Sequence, residues 1–148
     1  MSITAKHVWG KALEERLSPV IADYLECDLT PTAWRYDSVD FNTSLPGGDV
    51  AELKGRPKDR NNNPNTPQDV ESFDHWYFPV SKCLSLKKPL HIFYYWERSN
   101  RLFYLLFDIE KFQHYRTGVP PNHPTNQLHY LIPREDFVEL EKTDGSSF

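Results

Sequence analysis

The chain has 148 residues, enough for one domain with a real core and too few for two. Its 17 basic and 21 acidic side chains leave a net charge of -4, which excludes a protein that coats nucleic acid through bulk charge alone. No run approaches the ~18 apolar residues of a membrane span, and the N-terminal stretch lacks the apolar segment of a secretory leader.

In chain order, Val8, Trp9, Leu13, Leu17, Val20, Ile21 and Tyr24 recur at helical spacing, and Pro19 predicts that this helix ends or kinks near Leu17 and Ser18. Residues 32–41, rich in β-branched and aromatic side chains, read as a strand. The stretch NTSLPGG is a turn, and residues 49–55 form a second strand, so the two make an antiparallel hairpin. Residues 56–69 carry three prolines and four asparagines and predict an exposed, mobile loop. From residue 72 the chain should run extended through Phe78, with a helix starting near Pro79. LHIFYYW (90–96) and RLFYLLFD (101–108) are two aromatic strands of a second hairpin, the latter expected to be buried on both faces. A short helix or turn over 109–115, an exposed loop over 117–127, a strand in LHYLIP and a terminal turn or helix in REDFVELE follow.

The whole reads as α/β (α+β-like): one domain over residues 1–142, with a mixed central sheet flanked by helices, and a disordered tail over 143–148. Cys27 and Cys83 show no zinc-type spacing and read as reduced thiols of a cytoplasmic protein. The six histidines form no HxxxH or HxH pair, which argues against a zinc site.

Chemistry concentrates at Val50-Ala51-Glu52-Leu53-Lys54. Strand alternation sends Glu52 and Lys54 to one face and Ala51 and Leu53 to the other. The hairpin partner offers Asp37 if Val39 lies opposite Glu52, and Asp40 if the register slips by one residue. Asp37 is favoured for its place deeper in the strand. Two carboxylates with the Leu53 carbonyl make an all-oxygen site for Mg²⁺ or Mn²⁺, and Lys54 adds a mobile positive charge for phosphodiester hydrolysis. On its own, ExK on a strand is also what a plain ion pair looks like. Arg56, Lys58 and Arg60 continue from the ExK strand into the loop, where they suit a phosphate backbone.

Tyr36-Asp37, Ala51-Glu52-Leu53-Lys54-Gly55-Arg56 and the order helix, hairpin, helix, strands resemble the PD-(D/E)XK nuclease superfamily, and the C-terminal LIPREDF (131–137) resembles its small viral members. Tyr36 stands where the motif has proline. The resemblance implies a restriction-endonuclease-like core and a Mg²⁺- or Mn²⁺-dependent nuclease acting on nucleic acid, DNA ahead of RNA, in recombination, restriction or viral genome processing. Gly10-Lys11-Ala12-Leu13-Glu14 is similar to the family's GxxxE on the first helix, which implies that Glu14 joins the metal site. Tyr77-Phe78-Pro79-Val80-Ser81-Lys82 is similar to the segment that starts the next helix, which implies an assisting role for Lys82. The resemblance also implies a homodimer that cuts both strands, without contact to a membrane. The alternative is a nuclease-like fold turned into a binding or inhibitory module for nucleic acid or protein.

Overall fold

The computed structural model describes residues 3–32, 39–60, 63–84, 86–121, 126–142 and 148. Its elements in order are α1 (Ile3–Leu25), β1 (Leu29–Pro31), β2 (Phe41–Thr43), β3 (Val50–Arg56), β4 (His75–Pro79), α2 (Val80–Leu84), β5 (Leu90–Trp96), β6 (Arg101–Leu106), α3 (Ile109–Phe112), β7 (Arg116–Gly118), β8 (His129–Pro133) and β9 (Val138–Glu139). Among the described residues the strands form a six-stranded mixed sheet, β1-β2-β3-β5-β6-β9, and a three-stranded antiparallel sheet, β4-β8-β7. The expected mixed α/β class is therefore present. One correction concerns the layers: α1 covers one face of the large sheet, but the other face packs on α2 and the small sheet rather than on helices alone.

The alternation of β3 and β5 explains the two-sided core. Ala51, Leu53, Phe93 and Tyr95 face α1, where Leu13, Leu17 and Ile21 are buried at i, i+4 spacing. Val50, Ile92, Tyr94 and Trp96 face the other way, against Trp76, Phe78 and Ile132 of the small sheet. Strand β5 is buried along its whole length, and β6 is buried on both faces as expected, with Leu102 toward α1 and Phe103 and Leu105 toward the small sheet, up to its exposed end at Leu106. The central pairing, β3 with β5, is parallel.

Helix α1 overrides the expected break at Pro19 and runs on to Leu25. Proline removes the N–H that would bond the Glu15 carbonyl, and the Ser18 hydroxyl donates to that carbonyl instead at 3.3 Å. The face carrying Leu17 and Ile21 is fully buried, and this packing offsets the lost backbone bond. The strand expected over 32–41 falls largely outside the described residues; its visible continuation is the short β2, which pairs antiparallel with β3. The loop after β3 is tied down at several points: Asp59 bridges to Pro67, Gln68 donates to the Pro57 carbonyl at 2.7 Å, and Arg98 holds the Lys58 carbonyl and Asp59. The turn into β4, the helix just after Pro79 and the second hairpin lie where expected, with Asn100 taking a positive φ in its turn. The 117–127 loop begins instead as β7, and 134–139 form a single-turn helix and β9. The expected tail over 143–148 lies outside the described residues, except for Phe148, which packs against the α1 side of the core.

Candidate active site

Register decides which carboxylate stands beside the ExK strand. Phe41 pairs with Ala51 and Asn42 with Val50, so the next step along the hairpin sets Asp40 across from Glu52. The favoured alternative, Asp37, lies outside the described residues. Strand β2 meets only the first two residues of β3; beyond them the β3 edge is taken up by the Asp40 carboxylate, which accepts from the Leu53 N–H at 2.8 Å. Asp40 thereby sits at the rim between the two faces of the sheet.

That position lets carboxylates from both faces meet. Glu52 points away from α1 and is only 2% exposed. Glu14 comes from α1, is buried, and among the described residues its Oε2 has no hydrogen-bond partner. Burial raises the Glu14 carboxyl to about 7, and the Asp40 charge with its hydrogen-bonding contact pushes the same way. Burial likewise raises Glu52, to about 8; Lys54 and Lys82 pull down against it, and Asp40 adds to the rise. Three carboxylates thus crowd one strand edge.

Two lysines answer them. Lys82, on α2, forms an ion pair with Glu52. Lys54, two residues along β3, lies 5.7 Å from the centre of the Phe78 ring. Burial lowers its ammonium to about 8 against the pull of Glu52, and Lys82 and Arg56 lower it further. Cys83, next to Lys82, is a buried thiol pushed up to about 12 by burial, which keeps it protonated and inert.

Farther along the same face, the Arg56 guanidinium lies 5.3 Å from the Tyr94 ring centre and its Nη2 donates to the Tyr94 hydroxyl at 3.4 Å. Tyr94 in turn donates to the Tyr77 carbonyl. Arg60 lies 4.6 Å from the Phe73 ring centre, and Lys58 is exposed, its backbone N–H donating to Glu97. At the opposite end of β3, His91 bridges Asp49 at 2.6 Å and the Tyr104 hydroxyl at 2.7 Å, which pins the hairpin turn to β5 and β6.

The structure therefore gathers Glu14, Asp40, Glu52, Lys54 and Lys82 and sets Arg56, Lys58 and Arg60 beyond them. Leu53 takes part through its backbone, with its side chain in the α1 core. Missing from the sequence reading were the aromatic supports Phe73, Phe78 and Tyr94. The alternation of LHIFYYW held a signal for Tyr94, because parallel pairing sets Tyr94 beside Lys54 and Trp96 beside Arg56. Among the described residues, no three of the His, Cys, Asp and Glu side chains are already arranged as a set of metal ligands. No described helix is long and apolar enough to cross a membrane. Comparison with protein-family models, with curated proteins and with solved structures gives no match.

Proposed function

We propose that this chain is a metal-dependent nuclease of the PD-(D/E)XK type that hydrolyses phosphodiester bonds of nucleic acid, DNA ahead of RNA. One observation carries the reading: Glu14, Asp40, Glu52, Lys54 and Lys82 arrive from four separate segments at a single strand edge. Scattered ion pairs do not bring two buried carboxylates and a half-buried third together at the cost of raising two of them. A restriction-endonuclease-like core is the matching fold proposal, supported by the antiparallel β2–β3 hairpin and the parallel β5 reached through α2.

The donor set fits Mg²⁺ or Mn²⁺, which take oxygen ligands. Asp40 and Glu52 would hold the ion together with the Leu53 carbonyl, and Glu14 brings a buried oxygen that has no donor among the described residues. A cation there would relieve the repulsion that Asp40 imposes on both glutamates. When bound, such an ion supplies Lewis acidity toward a phosphoryl oxygen and a water of lowered pKa.

The chain's own groups do the rest. Glu52 is kept in place by Lys82. Lys54 exchanges a proton near neutral pH, which suits it to orient an attacking water and to offset charge on the phosphoryl oxygens. One observation favours a second reading, a nuclease-like fold that binds without cutting: Glu52 already has its countercharge in Lys82.

The test is cleavage of supercoiled plasmid, single-stranded DNA and RNA with Mg²⁺, Mn²⁺ or EDTA. Metal-dependent cutting is expected, reduced by about 10²-fold or more in Glu52→Gln, Lys54→Ala and Asp40→Asn. A folded protein that cuts none of these substrates and takes up no Mn²⁺ in calorimetry would overturn the reading in favour of the binding module.

A further inference from the structure

Beyond the carboxylates, the cations of this face differ in how they are held. Lys82 and Arg98 are neutralised by Glu52 and Asp59. Among the described residues, Arg56, Lys58 and Arg60 have no carboxylate partner. Arg56 and Arg60 are instead backed by aromatic rings, Tyr94 and Phe73. A guanidinium resting on a ring is fixed in orientation, keeps its full charge, and turns its second flat face outward. Arg60 is exposed and Arg56 half-buried, so both side chains keep contact with solvent beside their rings.

The two supports belong to one aromatic layer. Phe73 packs on Trp96 with ring centres 6.1 Å apart, and Trp96 follows Tyr94 on the same face of β5. The arginines therefore stand in succession along one path that leads from Lys54 outward. Flat cations in a row, each pre-oriented and unneutralised, suit stacking with successive bases as well as contact with phosphates. Paired bases do not offer their faces in this way. The recessed Glu52 argues in the same direction, because an unpaired strand can bend its phosphodiester into the site without breaking a duplex.

We propose that the nucleic acid taken by this site is single-stranded, with Arg56 and Arg60 as a two-step stacking platform that feeds the strand toward Lys54 and Glu52. The inference rests on the nuclease reading for its site and adds the substrate class. A charge-only track would bind duplex at least as well, since duplex carries the denser charge.

The experiment measures binding by fluorescence anisotropy in EDTA, where no cutting occurs. The probes are fluorescein-labelled strands of about 20 nucleotides, as single-stranded DNA, single-stranded RNA and duplex DNA. Wild type should bind at least one single strand about tenfold more tightly than duplex, and the DNA and RNA arms say which. Arg56→Lys and Arg60→Lys keep the charge and remove the planar face; each should weaken single-strand binding about fivefold or more and duplex binding by much less, with far-UV circular dichroism confirming the fold. Duplex bound as tightly as single strand, lysine variants that bind like wild type, or no binding of any probe would each overturn the inference. Cleavage with Mn²⁺ is scored separately. Duplex cut as fast as single strand sinks this inference with the nuclease reading intact, whereas single strands bound but never cut sink the nuclease reading and leave the platform standing.

Discussion

A carboxyl raised by burial leaves a signature in stability against pH. Glu14 and Glu52 hold their protons to about 7 and about 8 in the folded chain but release them near 4.5 when unfolded. Between those values the folded state binds more protons than the unfolded one, so stability falls as pH rises. Lys54 acts in the opposite sense above pH 8: its ammonium, lowered to about 8, binds fewer protons in the folded state than the unfolded value of 10.5 dictates, so stability recovers as pH climbs further. Thermal unfolding should show a Tm that declines from pH 5 to a minimum near 8, and Glu52→Gln should flatten that decline. A Tm that rises steadily across the same range would contradict the assigned burial. Part of the candidate site was legible in the sequence because strand alternation is rigid: Glu52 and Lys54 had to share a face. The placement of Asp40 was not legible, because it depends on where β2 begins to pair; the register of Phe41 with Ala51 sets Asp40 across from Glu52, while Asp37 lies outside the described residues.

Elements position these residues through a few close contacts. Gly55 is the clearest: a Cβ there would lie 2.5 Å from Leu13 Cδ2 and 2.8 Å from the Trp9 ring, so α1 sits directly on β3. Gly55→Ala should cost about 1–3 kcal/mol in denaturant unfolding, and cleavage should fall with it, because the displaced helix carries Glu14. Wild-type stability in this variant would show that α1 yields easily. Pro19 offers the converse case. Replacing it with alanine restores the N–H that the Glu15 carbonyl lacks, and Pro19→Ala should stabilise the chain by about 1–3 kcal/mol. The helix break expected from that proline failed for a physical reason: local propensity is a few kcal/mol at most, and the buried Leu17 and Ile21 outweigh it. Parallel pairing of β3 with β5 was likewise hidden, since residue patterns state periodicity and not which distant strand becomes a neighbour.

At the scale of the whole molecule, the two sheets share one core. Trp76 of the small sheet packs against Tyr94, Trp96 and Phe103 of the large sheet and against Phe137. Trp76→Ala should therefore cost about 3–5 kcal/mol, and both sheets should unfold in one transition followed by fluorescence and by far-UV circular dichroism. Two separated transitions would mean that the sheets are independent units. The strongly aromatic composition pointed to such a core, but not to its division between a six-stranded and a three-stranded sheet, because β4, β7 and β8 are short and lie far apart along the chain.

The parallel seam also governs when the chemistry can first exist. All five clustered side chains lie within the first 82 residues, yet the strand that bears two of them is paired along its full length only by residues 90–96. The β5–β6 hairpin is local and closes fast, whereas β3 must find β5 across the long intervening loop and α2. During translation the ribosome would thus have made every reactive group well before any of them could be held in place. A nascent chain stalled short of β5 should carry all five clustered side chains and leave β3 unprotected in hydrogen exchange, because the strand that pairs it is still missing.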